Sequence, residues 1–296
     1  MLFSVIIPTF NRAALLARTL ESVWTQRFTD FEVIVVDDGS TDGTAEFVRG
    51  LGERVRLVTQ ANLGPGAGRN NGARQARGEY LAFLDSDDLW FPWTLACFAE
   101  LIRRHNQPAI LGAKLMDFSD AAELAGVRET PLESEVFSDY FASHHRGYFV
   151  GAGMSVLRRK DFLATVGYTD LPINCEDHDL TLRMGIARGF VQVKAPVTLG
   201  WRRHSGSVTF DTKRSTAGNL YLIAQEREDA YPGDTARARQ RRAIITRHVR
   251  PVTIGCLRQG LRQEAWALYR ATFRWHLSLG RWKYLIGFPL KALLTH

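Results

Sequence analysis

Two runs of apolar residues break off in clusters of aspartate, and no other feature restricts the fold as much. Val33-Ile34-Val35-Val36 leads into Asp37-Asp38-Gly39-Ser40, and Tyr80-Leu81-Ala82-Phe83-Leu84 leads into Asp85-Ser86-Asp87-Asp88. Continuous runs of this length, without polar alternation, read as strands buried on both faces, as in parallel sheets covered by helices. Residues 3–7, 31–36, 55–58 and 80–84 are the expected strands, alternating with helical patterns. Asn11 is expected to cap the first helix, with Leu16, Leu20, Val23 and Trp24 on its inner face. Ser40 or Thr41 is expected to cap a second helix over 44–51, and a third is expected over 68–76.

Further along, a helix is expected over 89–102, a strand at 109–115, loop or short helices over 117–147, and a strand at 148–157. Helices follow at 159–166 and 177–188, and Pro289 is expected to interrupt the last apolar cluster, 284–290. Residues 1–10 read as a core strand rather than a leader, and no stretch approaches the roughly 20 apolar residues that span a bilayer. Cys97, Cys175 and Cys256 are far apart and match no zinc or redox spacing, so a reducing, cytoplasmic setting is expected.

In open parallel sheets, ligands bind beyond the carboxyl ends of the strands, where both aspartate clusters fall. Three carboxylates within four residues at 85–88 repel one another unless a cation neutralises them, and an oxygen-only set suits Mg²⁺ or Mn²⁺. Neighbouring strand residues point to opposite faces, so Asp37 and Asp38 are expected to differ in role. One accepts hydrogen bonds from a ligand and the other braces the turn. Taken alone, that motif is equally compatible with an aspartate capping a helix.

Together with Ser4-Val5-Ile6-Ile7-Pro8-Thr9-Phe10, these segments resemble glycosyltransferase family 2. The resemblance covers about residues 3–210 and implies an α/β fold of the GT-A type: a Rossmann-like, mainly parallel sheet flanked by helices, here with a C-terminal helical extension. It implies an inverting transfer from a nucleoside-diphosphate sugar, a UDP-sugar above all, to a glycan or lipid-linked acceptor in cell-surface polysaccharide or glycoconjugate synthesis. Pro8, Thr9, Phe10, Asp38 with Asp37 in support, Asn62, Arg69, Asp85 and Ser86 are implied at the nucleotide, and Asp85 and Asp87 at a divalent metal. Gly68 stands where the family usually has Ala.

Asn174-Cys175-Glu176-Asp177-His178-Asp179 resembles the family's Glu-Asp pair at a helix start, which makes Asp177 the implied general base and Glu176 its nearest competitor. Trp201-Arg202-Arg203-His204 resembles a late histidine turn, implying His204 as a metal ligand and Arg202 or Arg203 as a partner for diphosphate charge. His144, His145 and His178 receive no role.

Residues 237–296 hold 13 Lys and Arg against the single acid Glu264, so the whole positive excess of the chain lies there, interleaved with seven aromatic residues. Such helices suit an anionic membrane surface, with attachment expected at the inner face of the membrane. Packing on the body of the protein or on a second copy of the chain is the alternative; no nucleic-acid module surrounds the arginines. The organisation expected is a catalytic region over 1–215, with donor binding in 1–115 and acceptor and base in 116–215, followed by a helical tail over 216–296. Competing functions are a sugar-nucleotide pyrophosphorylase, which would carry a Gly-rich basic signature after the first strand, and a non-catalytic nucleotide-sugar-binding protein.

Overall fold

A computed structural model describes residues 1–203 and 211–294. The chain divides into two compact units, the first made of Met1–Asp139, Phe149–Asp170 and Ala187–Ser205, the second of Tyr140–Tyr148, Leu171–Ile186 and Gly206–His296.

In the first unit, β1 (Phe3–Thr9), β2 (Phe31–Asp37), β3 (Arg56–Thr59) and β4 (Tyr80–Phe83) lie parallel in the order β3-β2-β1-β4. β1 is buried along its whole length because α1 (Ala13–Trp24) and α3 (Pro65–Gln75) are packed against the sheet. α2 (Thr44–Arg49) is the short crossover from β2 to β3. The expected strands 80–84 and 31–36 therefore stand, each with its aspartates at the carboxyl end.

The rest of the unit departs from expectation in instructive places. Leu89–Trp90 is a short strand, β5, and the helix α4 begins only at Thr94, running to Arg104. β6 (Ile110–Gly112) and β7 (Leu115–Phe118) divide the single strand expected at 109–115. β8 (Glu133–Phe137) lies where a loop was expected, as an antiparallel edge strand whose polar side chains are tolerated because one margin is unpaired. β9 is confined to Ser155–Arg158, antiparallel to both β4 and β6; it is followed by α5 (Arg159–Leu163). β10 (Phe190–Ala195) completes the eight-stranded sheet β3-β2-β1-β4-β9-β6-β10-β8. β11 (Leu199–Arg202) joins β5 and β7 in a second, three-stranded sheet.

Two caps differ from those expected. Asn11 has a positive φ of 51° and faces the turn after β2: its N–H donates to Ser40 Oγ at 2.8 Å and its side chain accepts from Thr41 N–H at 2.7 Å. Ser40 and Thr41 are thus engaged by Asn11, and the start of α2 is held by Asp42, which accepts from Thr44 N–H at 3.0 Å.

The second unit is helical. α6 (Glu176–Arg183) is followed by α7 (Thr212–Arg227), α8 (Asp234–Arg258), α9 (Arg262–Ser278) and α10 (Trp282–Leu294). Arg241 and Glu226 are both buried and ion-paired at 2.6 Å between α8 and α7, and Arg242 binds the same carboxylate at 3.0 Å. α10 runs through Pro289 instead of breaking there. Proline supplies no N–H to the carbonyl four residues earlier. That carbonyl, of Leu285, is satisfied by the Tyr269 hydroxyl of α9 at 2.8 Å.

Candidate active site

Because β2, β1 and β4 are adjacent and parallel, their carboxyl ends bring Asp37, Asp38, Thr9 and the 85–88 segment to one margin of the sheet. Asp38 N–H donates to Thr9 O at 2.9 Å, which ties the two strand ends together. The Asp38 carboxylate is buried and fully engaged within the chain. It accepts from Gln60 Nε2 at 2.8 Å, Leu63 N–H at 2.9 Å and Gly64 N–H at 2.8 Å. Asp38 therefore braces the glycine-rich loop before α3, whereas the Asp37 carboxylate accepts, among the described residues, a single 3.3 Å bond from Ser40 N–H. The Thr9 hydroxyl is buried without a hydrogen-bond partner. Pro8 abuts Gly68 closely: an alanine Cβ there would sit 3.3 Å from Pro8 Cβ. Phe10 and Asn62 are exposed, and Ser86 is buried.

The acidic cluster is built by partners distant in sequence. Asp85 accepts from Arg69 Nη2 at 2.5 Å, and Arg69 lies over the Tyr168 ring, 5.4 Å from its centroid. Asp87 accepts from Arg12 Nη1 at 2.6 Å. Asp88 is the most buried of the three, and burial, then the charges of Asp85 and Asp87, hold its pKa well above the ordinary 3.8. Its Oδ1 accepts from Arg202 N–H at 2.8 Å, while Arg202 Nε donates to Asp87 O at 2.9 Å. Among the described residues Asp88 Oδ2 and Arg202 Nη2 are both buried without a hydrogen-bond partner. Arg203 pairs with Asp117. Of the two arginines proposed for charge balance, Arg202 alone contacts the acidic segment.

Gly153 carries a role that its sequence position does not advertise. A Cβ on it would fall 2.6 Å from Asp85 Oδ2, so only glycine lets that carboxylate lie against the backbone. Asp88, Arg12 and Gly153 were all missed by sequence reasoning. The charge density at 85–88 is the one signal that pointed toward Asp88. His204 lies outside the described residues, and among those described no group of three or more His, Cys, Asp or Glu side chains is arranged to hold a metal ion. The donor chemistry still suits a hard divalent cation: Asp85, Asp87 and Asp88 fall within four residues of one segment, and the buried Asp88 Oδ2 has no hydrogen-bond partner among the described residues.

Asp177 and Glu176 open α6 in the second unit, after Cys175 at φ 82°. Asp177 Oδ1 accepts from His178 N–H at 2.7 Å, and the His178 Nδ1 lies 2.6 Å from the same oxygen. His178 Nε2 meets His248 Nδ1 of α8 at 2.7 Å. Burial, then His178 and Arg247, hold the His248 pKa well below the ordinary 6.5. His178, given no role above, contacts the Asp177 carboxylate through both its backbone and its ring. Its partner lies 70 positions away, beyond any spacing rule. Asp179, the other acid of the motif, is buried and structural: it accepts from Arg183 Nε and from the Tyr231 hydroxyl, each at 2.9 Å.

A mainly parallel sheet with a buried carboxylate cluster at the end of its fourth strand is the arrangement of the GT-A fold. The sheet is shared with Staphylococcus aureus TarS in complex with UDP-GlcNAc (TM-score 0.66, 24% identity, 82% of this chain and 70% of that one). It is also shared with the mannosyltransferase PcManGT of Pyrobaculum calidifontis in complex with GDP-Man and Mn²⁺ (TM-score 0.53, 18% identity, 99% and 86%). The family model described as "Glycosyl transferase family 2" matches residues 4–164, and the chain belongs to that family. In sequence it is 44% identical over 90 residues to the Campylobacter jejuni GalNAc(5)-diNAcBac-PP-undecaprenol beta-1,3-glucosyltransferase, covering 29% of each protein. It is 41% identical over 117 residues to the S. aureus poly(ribitol-phosphate) beta-N-acetylglucosaminyltransferase TarS, covering 38% of this chain and 20% of TarS. Among the curated relatives compared, the matched stretch takes in 15% to 36% of the relative's own length.

Proposed function

We propose that the protein transfers a sugar, with inversion at the anomeric carbon, from a UDP-sugar to a hydroxyl of a glycan or lipid-linked acceptor in cell-surface glycan synthesis. The observation that carries this reading is the cluster at the end of β4, where Asp85, Asp87 and buried Asp88 concentrate negative charge around an unsatisfied oxygen. Asp85 and Asp87 with His204 would hold a divalent cation, Mn²⁺ or Mg²⁺, which would supply charge stabilisation for the departing nucleoside diphosphate. Asp37 and Thr9 border the nucleotide with Pro8, Phe10, Asn62 and Ser86, while Asp38 acts through the loop it braces and Arg69 through Asp85.

Asp177 takes the acceptor proton as the glycosidic bond forms, with Glu176 beside it. Carboxylate bases of this kind contribute on the order of 10²–10⁴-fold. Residues 1–115 serve the donor and 116–215 the acceptor, and the helices over 216–296 carry the catalytic region to an anionic membrane surface.

The donor reading is tested by titrating UDP-GlcNAc into Asp87→Ala with and without Mn²⁺. Wild-type protein is expected to bind tightly only with the metal, and the variant to lose that dependence. Equal metal-dependent affinity in both would overturn it.

A further inference from the structure

On α8, Ala243, Thr246, Arg247 and Arg250 recur at helical spacing and share one face. Arg281, at the approach to α10, reaches onto that face: its guanidinium donates to the Thr246 hydroxyl and to Ala243 O at 3.0 Å. Arg247 donates to His144 O, and Arg250 makes no hydrogen bond or ion pair among the described residues. All three side chains are half-buried, yet none has a carboxylate partner among the described residues. Arg241 and Arg242, on the same helix, show the alternative, since both bind Glu226.

Beside the cluster His276 is fully buried with neither ring nitrogen hydrogen-bonded. The mutual repulsion is felt by the groups themselves. Burial, then Arg250 and Arg247, lower the Arg281 pKa to about 10, and burial, then Arg281 and Arg250, lower that of His276 to about 3.

Guanidiniums gathered out of bulk water without a counter-charge are costly, and their planar donors match phosphate oxygens. We propose that Arg247, Arg250 and Arg281, with His276 behind them, form an anion site for a phosphate or diphosphate group of the acceptor. The acceptor assignment rests on the reading of Asp177 as the base. Arg247 adjoins His248, which meets the histidine that contacts Asp177.

The test uses full-length protein in EDTA, with inorganic pyrophosphate as the probe and melting temperature as the readout. Wild-type protein is expected to be stabilised by pyrophosphate. The double variant Arg250→Gln, Arg281→Gln is expected to lose that response, with at least a tenfold drop in pyrophosphate affinity. It should keep its stabilisation by UDP with Mn²⁺ and, relieved of repulsion, melt no lower than wild type without ligand. Arg250→Lys, Arg281→Lys should restore part of the response.

A second arm pellets the proteins with phosphatidylcholine vesicles containing phosphatidic acid. Arginine-dependent pelleting without a pyrophosphate response would make the anion a lipid headgroup, and the reverse a soluble phosphate; either supports the site. A wild-type protein that answers neither probe, or a glutamine variant that answers as strongly as wild type, would overturn it. Asp177→Asn separates the two readings: undiminished transfer with an intact pyrophosphate response would remove the base assignment and leave the anion site standing.

Discussion

Asp88 shows how one side chain can report on what its neighbours require. Its pKa is raised by burial and by Asp85 and Asp87, so the folded protein holds its proton more tightly than the unfolded chain does. The stability this contributes is complete below the unfolded value near 3.8 and is lost as pH rises through the elevated folded value. Wild-type melting temperature should therefore fall with rising pH across that window relative to Asp88→Asn. Mn²⁺ should recover part of the loss in wild type only; parallel pH curves for the two proteins would contradict the account.

At the same scale, Asp177→Asn should reduce transfer by at least about 100-fold while leaving UDP-GlcNAc affinity unchanged, measured by turnover and by calorimetry side by side. That Asp177 stands at a helix start was legible because an acidic pair before a helical period is a local pattern. His178 was not, because its meaning comes from His248 on a different helix. The pairing of Arg12 with Asp87, 75 residues apart, was opaque for the same reason.

Among the elements, the buried parallel strands could be read because β-branched residues crowd into them and aspartates mark their ends. β5 escaped notice at two residues, too short for any period, and β8 because an edge strand keeps its polar residues. The terminal helix was misread for a subtler reason. Proline normally ends a helix by orphaning a carbonyl, and here a tyrosine from the preceding helix removes that cost.

The relation between Tyr269 and Pro289 is open to a double-mutant cycle. Tyr269→Phe should destabilise the protein by about 1–3 kcal/mol, the usual consequence of leaving a buried acceptor unsatisfied. In a Pro289→Ala background the new N–H supplies the bond, so the same substitution should cost markedly less, as read from urea denaturation. Additive losses would show that the hydroxyl and the missing N–H are unrelated.

For the whole molecule, the distribution of charge and apolar surface matters more than their totals. No helix among the described residues is long and apolar enough to cross a membrane. On α10, however, Trp282, Ile286, Leu290, Leu293 and Leu294 are each more than half exposed, while Leu285, Phe288 and Ala292 are buried. Beyond Glu264 the sequence has no Asp or Glu, and Lys283 and Lys291 lie on the same helix as this stripe. Vesicles containing phosphatidylglycerol should pellet the wild-type protein, and Ile286→Ser with Leu290→Ser should reduce the bound fraction several-fold at unchanged melting temperature. Equal pelleting would assign the stripe to a protein contact instead.

The ion pairs of Arg12 with Asp87 and Arg69 with Asp85 bear on the order of assembly. At the proposed metal site, a divalent ion arriving alone would displace these guanidiniums from the carboxylates, whereas one arriving with a diphosphate would give each of them a new anion to hold. Metal and nucleotide should then enter as partners, each raising the other's affinity, and the bare ion should be a weak guest in the empty protein.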